Sequence, residues 1–372
     1  MTVFVVIPGD LDTRTGGYGY DRRIIGGLRE RGWTVEVVRL DDAFPEPDAK
    51  VRARATAALT AIPDQALVLV DGLAFGALPA EVEREADRLR FVALVHHPLA
   101  AETGIDPALA SALAVSERRA LAFARAVVVT SATTRDSLVA GYAVPADRIT
   151  VVEPGTDVGP RRSSGFRVRL SAAGEQPSPL TPQPCDVSLL CVATITPRKG
   201  HELLVNALAS IPHRRWHLVC AGSLDRDPPT VARLRAQLRA HGVEERVELT
   251  GDLDTDALDA RYAAADLFVL PTLYEGYGMA VAEALARGLP VISTATGAID
   301  DLVTGGSNQP AGLVVPPGDA GAFAAALGRV LGDANLLARF AEGAALAHAR
   351  LPSWATACAK MAGVLEGVAT GG

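Results

Sequence analysis

Phe268-Val-Leu-Pro-Thr-Leu-Tyr-Glu275-Gly-Tyr-Gly-Met279-Ala-Val-Ala-Glu283-Ala-Leu-Ala-Arg-Gly288 spells a strand, a turn and a helix in order. The run before Pro271 is apolar at every position, so both of its faces are buried, as in a parallel sheet. Glu275 and the Gly276-Tyr277-Gly278 turn follow. Met279 to Arg287 holds strong helix formers, and Gly288 is placed to terminate them. The glycines therefore open a helix. Its free N–H groups and the positive end of its dipole favour an anion, and the missing Cβ atoms let a phosphate approach the main chain.

The same unit recurs on both sides. Apolar runs at Val3–Pro8, Val35–Leu40, Leu67–Val70, Phe91–Val95 and Ala126–Thr130 alternate with helical stretches, the first around Tyr20–Arg31. Between about 158 and 185 the chain turns to Gly, Pro, Ser and Arg, ending in Pro177-Ser-Pro-Leu-Thr-Pro-Gln-Pro184, which suits a linker and no helix interior. Alternation then resumes with Val187–Ala193, a helix over Glu202–Ile211, Trp216–Ala221, a helix over Thr230–His241, Val247–Leu249 and Leu267–Leu270. Ser353-Trp354 opens a last helix. The expected architecture is α/β, with two Rossmann-like domains facing across a cleft. The expected boundaries are 1–175 and 176–350, with a helix over 351–372, which in folds of this class commonly returns to the first domain, as the resemblance named below implies. A length of 372 residues agrees with two cores.

Composition removes several function classes. A formal net charge of -7 disfavours a nucleic-acid binder, whose phosphate contacts need concentrated basic surface. No apolar run approaches the roughly 20 residues that span a bilayer, and the N-terminus has no basic leader, so a soluble cytoplasmic protein is expected. Cys185, Cys191, Cys220 and Cys358 show no C-x-x-C spacing and are expected as buried thiols. Asp-x-Asp triplets at Asp10, Asp225, Asp252 and Asp254 have the form of a divalent-cation site, but in an acidic chain they suit loops and caps, and no metal is expected.

Two glutamates eight residues apart, bracketing Gly-x-Gly after a buried strand, resemble the signature of family 4 glycosyltransferases, a retaining family with the GT-B fold. The resemblance implies that Glu275 faces the donor sugar, that Gly276, Tyr277, Gly278 and Met279 hold its diphosphate, and that Glu283 binds the ribose. It also gives meaning to Thr194-Ile-Thr-Pro-Arg198-Lys199-Gly200, a second strand–turn–helix start. Two adjacent cations there suit a leaving diphosphate, Arg by gripping two oxygens at once. The commoner family pattern has arginine where Thr194 stands; here it is Arg198, beside Lys199.

Three weaker elements take roles from the same resemblance. Gly16 and Gly17, in a loop after the first strand, would close over the donor phosphates. Of the pair ending Leu94-Val-His96-His97, the resemblance places His96 near the donor sugar and the incoming hydroxyl, with His97 as the alternative. Leu253, in Thr250-Gly-Asp-Leu253, falls in the loop that holds the nucleobase.

The implied reaction is retaining transfer of a hexose from a nucleoside diphosphate-sugar, UDP- or GDP-linked, to an acceptor hydroxyl. The donor is a substrate, and no cofactor is expected. Glycan or glycolipid acceptors suit polysaccharide or glycolipid synthesis, with a peripheral contact at the inner face of the membrane. Two rivals share the fold: a GT-B nucleotide-sugar epimerase, which needs no acceptor, and a non-catalytic nucleotide-sugar-binding subunit.

Overall fold

The computed structural model describes residues 1–157, 159, 187–211, 216–305 and 309–371. The stretch assigned as a linker lies outside the described residues apart from Gly159, and so does Cys185. The chain forms two compact units: Met1–Gly155 with Tyr274–Tyr277 and Pro352–Gly372, and Thr156–Leu273 with Gly278–Leu351.

The first unit holds β1 (Thr2–Pro8), β2 (Thr34–Leu40), β3 (Leu67–Asp71), β4 (Arg90–Val95), β5 (Ala126–Val129) and β6 (Ile149–Val151). They lie in the order β2-β1-β3-β4-β5-β6, every pair parallel. The second holds β7 (Val187–Val192), β8 (Trp216–Ala221), β9 (Val247–Gly251), β10 (Leu267–Leu270), β11 (Val291–Thr294) and β12 (Gly312–Val315). Their order is β12-β11-β10-β7-β8-β9, again all parallel. Parallel strands need crossovers, and helices supply them on both faces, which is why the strands carry unbroken apolar runs.

β6, β11 and β12 were not expected, and β11 shows why. Half of its residues are polar, yet Ser293 and Thr294 are buried. Their hydroxyls donate to the carbonyls of Leu270 (2.6 Å) and Thr272 (2.5 Å), which removes the cost of burying them. Each unit has its own core. Phe75 meets Phe91 edge-on at 5.8 Å in the first, and Trp216, Phe268 and Phe323 are buried in the second. Cys191 and Cys220 stand opposite one another on β7 and β8, both buried.

The Trp354–Thr370 helix, capped by the Ser353 hydroxyl, packs on the Gly16–Glu30 helix, where a Cβ on Gly27 would lie 2.2 Å from Cys358 Sγ. Glu117 is fully buried on the Pro107–Leu121 helix, accepting from Leu99 N–H at 2.9 Å. Burial raises its carboxyl pKa to about 8. Among the described residues no helix is long and apolar enough to cross a membrane.

Candidate functional site

In each sheet the strand order reverses once, between β1 and β3 in the first and between β7 and β10 in the second. Ligands of open parallel sheets bind beyond the carboxyl ends of strands flanking such a reversal. Taken unit by unit, several expected site residues follow strands at or next to the reversal: Gly16, Gly17 and His96 after β1 and β4, and Arg198 and Lys199 after β7.

In the first unit the loop after β1 leads into the Gly16–Glu30 helix, capped by Thr15 Oγ1, which accepts from Tyr18 N–H at 3.3 Å. Gly16 and Gly17 are thus the first helical residues and not loop, so their N–H groups belong to a helix N-terminus. Arg22 holds the preceding loop by donating to the Thr13 carbonyl at 3.1 Å. β4 ends at Val95 and presents His96; a Cβ on Gly17 would lie 3.5 Å from His96 Cδ2, so the two predicted residues are neighbours. The imidazole keeps a fifth of its surface exposed. Its Nε2 lies 3.2 Å from Asp21 Oδ1 and 3.5 Å from Asp71 Oδ2, both carboxylates nearly wholly buried. Burial alone pulls an imidazole pKa down; here the charge of Asp21, the hydrogen bond to it and the nearby carboxylate of Asp71 outweigh it and raise His96 to about 10. Asp21 moves up as well, through burial, with His96 opposing. The three donor atoms lie within 4.8 Å of one another, close enough to share one cation, and no Asp-x-Asp triplet forms such a group among the described residues. Asp227 and Asp254 instead cap helices.

His97 points elsewhere, 3.7 Å from Glu102 Oε2, with its ring 5.9 Å from that of Tyr274. Tyr274–Tyr277 belong to this unit, which brings Glu275 and Gly276 with them. A Cβ on Gly276 would sit 2.0 Å from the His96 carbonyl oxygen, so only glycine allows the approach. The Tyr277 ring is buried, which raises its hydroxyl pKa.

In the second unit β7 runs into Pro197–Lys199 and the left-handed Gly200 (φ 71°), after which the His201–Ala209 helix starts. The Arg198 carbonyl accepts from Leu273 N–H (2.7 Å) and Thr272 Oγ1 (3.2 Å). A Cβ on Gly200 would lie 2.1 Å from the Pro271 carbonyl. The turn carrying Arg198 and Lys199 is therefore stapled to the chain leaving β10, across the strand-order reversal. Gly278 (φ 103°) starts the Met279–Ala286 helix, and its missing Cβ makes room for Ile299. Glu283, on that helix, accepts from the Tyr262 hydroxyl at 3.1 Å, and burial raises its pKa. Arg287 lies 4.5 Å over the Tyr262 ring and donates to Asp259 at 3.1 Å, so a cation backs the glutamate. Leu253 follows β9, half-buried, between Gly251 (φ 72°) and the cap Asp254.

Asp21, Asp71, Tyr262 and Arg287 were not among the expected site residues. A faint signal existed for two. Asp21 lies four residues after Gly17, on the same helix face, and Asp71 is an acid closing an apolar strand.

Two family models match the chain, Glycosyltransferase Family 4 over residues 70–159 and Glycosyl transferases group 1 over 178–346. A D-inositol 3-phosphate glycosyltransferase of Salinispora tropica is 32% identical over 252 residues, covering 64% of this chain and 50% of that protein. One from Nocardia farcinica is 33% identical over 250 residues, covering 65% and 52%. The chain spans about half the length of these relatives. In fold it is similar to sucrose-phosphate synthase from Thermosynechococcus elongatus (TM-score 0.79, 20% identity, 100% of both chains). It is likewise similar to Anabaena HepE in complex with UDP-glucose (TM-score 0.74, 18% identity, 98% and 99%).

Proposed function

As the chain belongs to family 4 of the GT-B glycosyltransferases, we propose that it transfers a hexose, with retention, from a nucleoside diphosphate-sugar to an acceptor hydroxyl. The observation that carries this reading is the staple of Leu273 and Thr272 on the Arg198 carbonyl, which holds two cations beside the strand end that continues into Glu275 and the glycine turn. HepE, of like fold, is described in complex with UDP-glucose, and the sequence relatives are named D-inositol 3-phosphate glycosyltransferase.

The roles follow from charge. When the bond from the sugar C1 to the diphosphate oxygen breaks, negative charge grows on the phosphate. Arg198, Lys199 and the amides at the start of the Met279–Ala286 helix would receive it, and electrostatic stabilisation of this kind is the largest contribution expected. Cations and a helix terminus thereby do the work of a divalent metal. Glu275 contacts the donor sugar, Glu283 the ribose, and the Leu253 loop the base. Gly16 and Gly17 border the phosphates, and His96 borders the sugar. Retaining glycosidases place two carboxylates about 5 Å apart; no such pair is assigned here. The acceptor oxygen bonds to C1 on the face the phosphate leaves, and its proton passes to the departing phosphate oxygen. Polysaccharide or glycolipid synthesis at the cytoplasmic face of a membrane suits this activity.

A thermal-shift screen of UDP-, GDP- and ADP-sugars tests the reading. A donor at 100 times its Kd should stabilise the chain by about 2.7 kcal/mol. Transfer is then assayed with glycan, glycolipid and phosphorylated polyol acceptors. No shift with any nucleotide-sugar, or an epimerised donor without released nucleotide, would sink it.

A further inference from the structure

We propose that Asp21 and Asp71 are positioning residues that lock His96 as a doubly protonated hydrogen-bond donor at the end of β4, and so withhold it from service as a base.

The geometry is unusual in giving one ring nitrogen to two acids. Asp21 comes from the Gly16–Glu30 helix, Asp71 from the end of β3 and His96 from the end of β4, and Nε2 faces both carboxylates at 3.2 and 3.5 Å. One carboxylate orients a histidine and leaves its second nitrogen able to take a proton. Two buried carboxylates beside a neutral ring would instead leave two negative charges without a counter-ion, and burial makes that costly. Asp21 Oδ2 already has no hydrogen-bond partner, so the local demand for positive charge is high. The imidazolium meets it, in keeping with the raised His96 pKa of about 10.

Among the described residues, the groups that meet the ring bring no competing cation. Tyr20 presents an edge to it at 5.4 Å, and the Tyr20 hydroxyl is committed to the Val152 carbonyl at 3.0 Å. Arg22 acts on Asp21 through its charge alone, its guanidinium being spent on the carbonyls of Leu11 and Thr13. Gly17 flanks the ring without a side chain. With Nε2 engaged, Nδ1 is the nitrogen left for a ligand, and in the imidazolium it can only donate. Such a donor suits an electron-rich oxygen of the sugar or diphosphate. It does not suit activation of an acceptor hydroxyl, so the acceptor proton goes to the leaving phosphate. The ligand's identity rests on the proposed transfer reaction; the protonation state does not.

The test separates the two. The full chain, labelled with 15N-histidine, carries seven histidines, and His96→Gln assigns the signal. At pH 8 both His96 nitrogens should be protonated. In Asp21→Asn and Asp71→Asn the ring should become neutral at that pH, with circular dichroism and melting showing the fold retained. A neutral His96 in the unaltered chain, or a cation indifferent to both substitutions, overturns the proposal. So does a stoichiometric divalent metal found by elemental analysis, its removal shifting the His96 signals. In transfer assays Asp71→Asn should lower kcat 10- to 100-fold with little change in KM, and move the alkaline limb of the kcat profile toward neutrality. A loss of kcat with an unmoved profile also overturns it. A carboxylate-dependent cation in a chain that transfers no sugar upholds the clamp and defeats the proposed reaction.

Discussion

At the scale of single residues, the candidate site sets partly buried charged side chains on a main chain tied by hydrogen bonds at the Arg198 carbonyl. Lys199 and Glu275 can be truncated without loss of core, since neither is buried in one. Each alanine variant should lower transfer by a factor on the order of 10²–10³. Circular dichroism should be unchanged. Full activity in both variants would remove the assigned roles. Glu283 is a different kind of residue. Tyr262 and Arg287 hold its side chain and backbone from within the second unit, so its orientation is built before any ligand arrives. Glu275, Gly278, Arg198 and Lys199 could be singled out because they sit in short local motifs, of which the fold bears out the helix start at Gly278. Asp21 and Asp71 could not, because they acquire their meaning only when β3, β4 and the first helix meet; His96 and Asp21 are 75 residues apart.

At the scale of elements, continuous apolar runs announced nine of the strands and Gly, Ser or Asp caps several helix ends. β11 escaped because its buried hydroxyls look polar in sequence and become satisfied only beside β10. Gly16 and Gly17 read as loop because glycine disfavours helices by about 1 kcal/mol relative to alanine. The Thr15 cap, the burial of Tyr20, Ile24 and Leu28, and the approach of Cys358 to Gly27 override that preference. The last contact makes a prediction. Gly27→Ala should destabilise the docking of the Trp354–Thr370 helix by about 1–3 kcal/mol, the usual cost of overpacking, despite raising helix propensity. Adding Cys358→Ala should recover part of the loss in urea denaturation. A stabilised single variant would show that the helices part without cost.

At the scale of the whole molecule, stability should fall as the solution becomes alkaline. Glu117 has its pKa raised from 4.5 to about 8 by burial, so between those values the folded chain keeps a proton that the unfolded chain has released. Stability therefore declines through that window, by an amount on the order of a few kcal/mol. His96, raised from 6.5 to about 10, continues the decline at higher pH, since its contribution is whole below 6.5 and lost through 10. Glu117→Gln keeps an acceptor for Leu99 N–H and removes the first window. Denaturation at pH 6 and pH 9 should show a smaller difference for the variant, and an equal one would contradict the assignment. The thiols supply an independent gauge of each half. Cys191 and Cys220 face one another at the centre of the second sheet, and Cys358 lies in a helix seam of the first unit. With Cys185 replaced by serine, a pulse of alkylating reagent becomes a pair of clocks, one ticking when the seam parts and the other only when β7 and β8 come open.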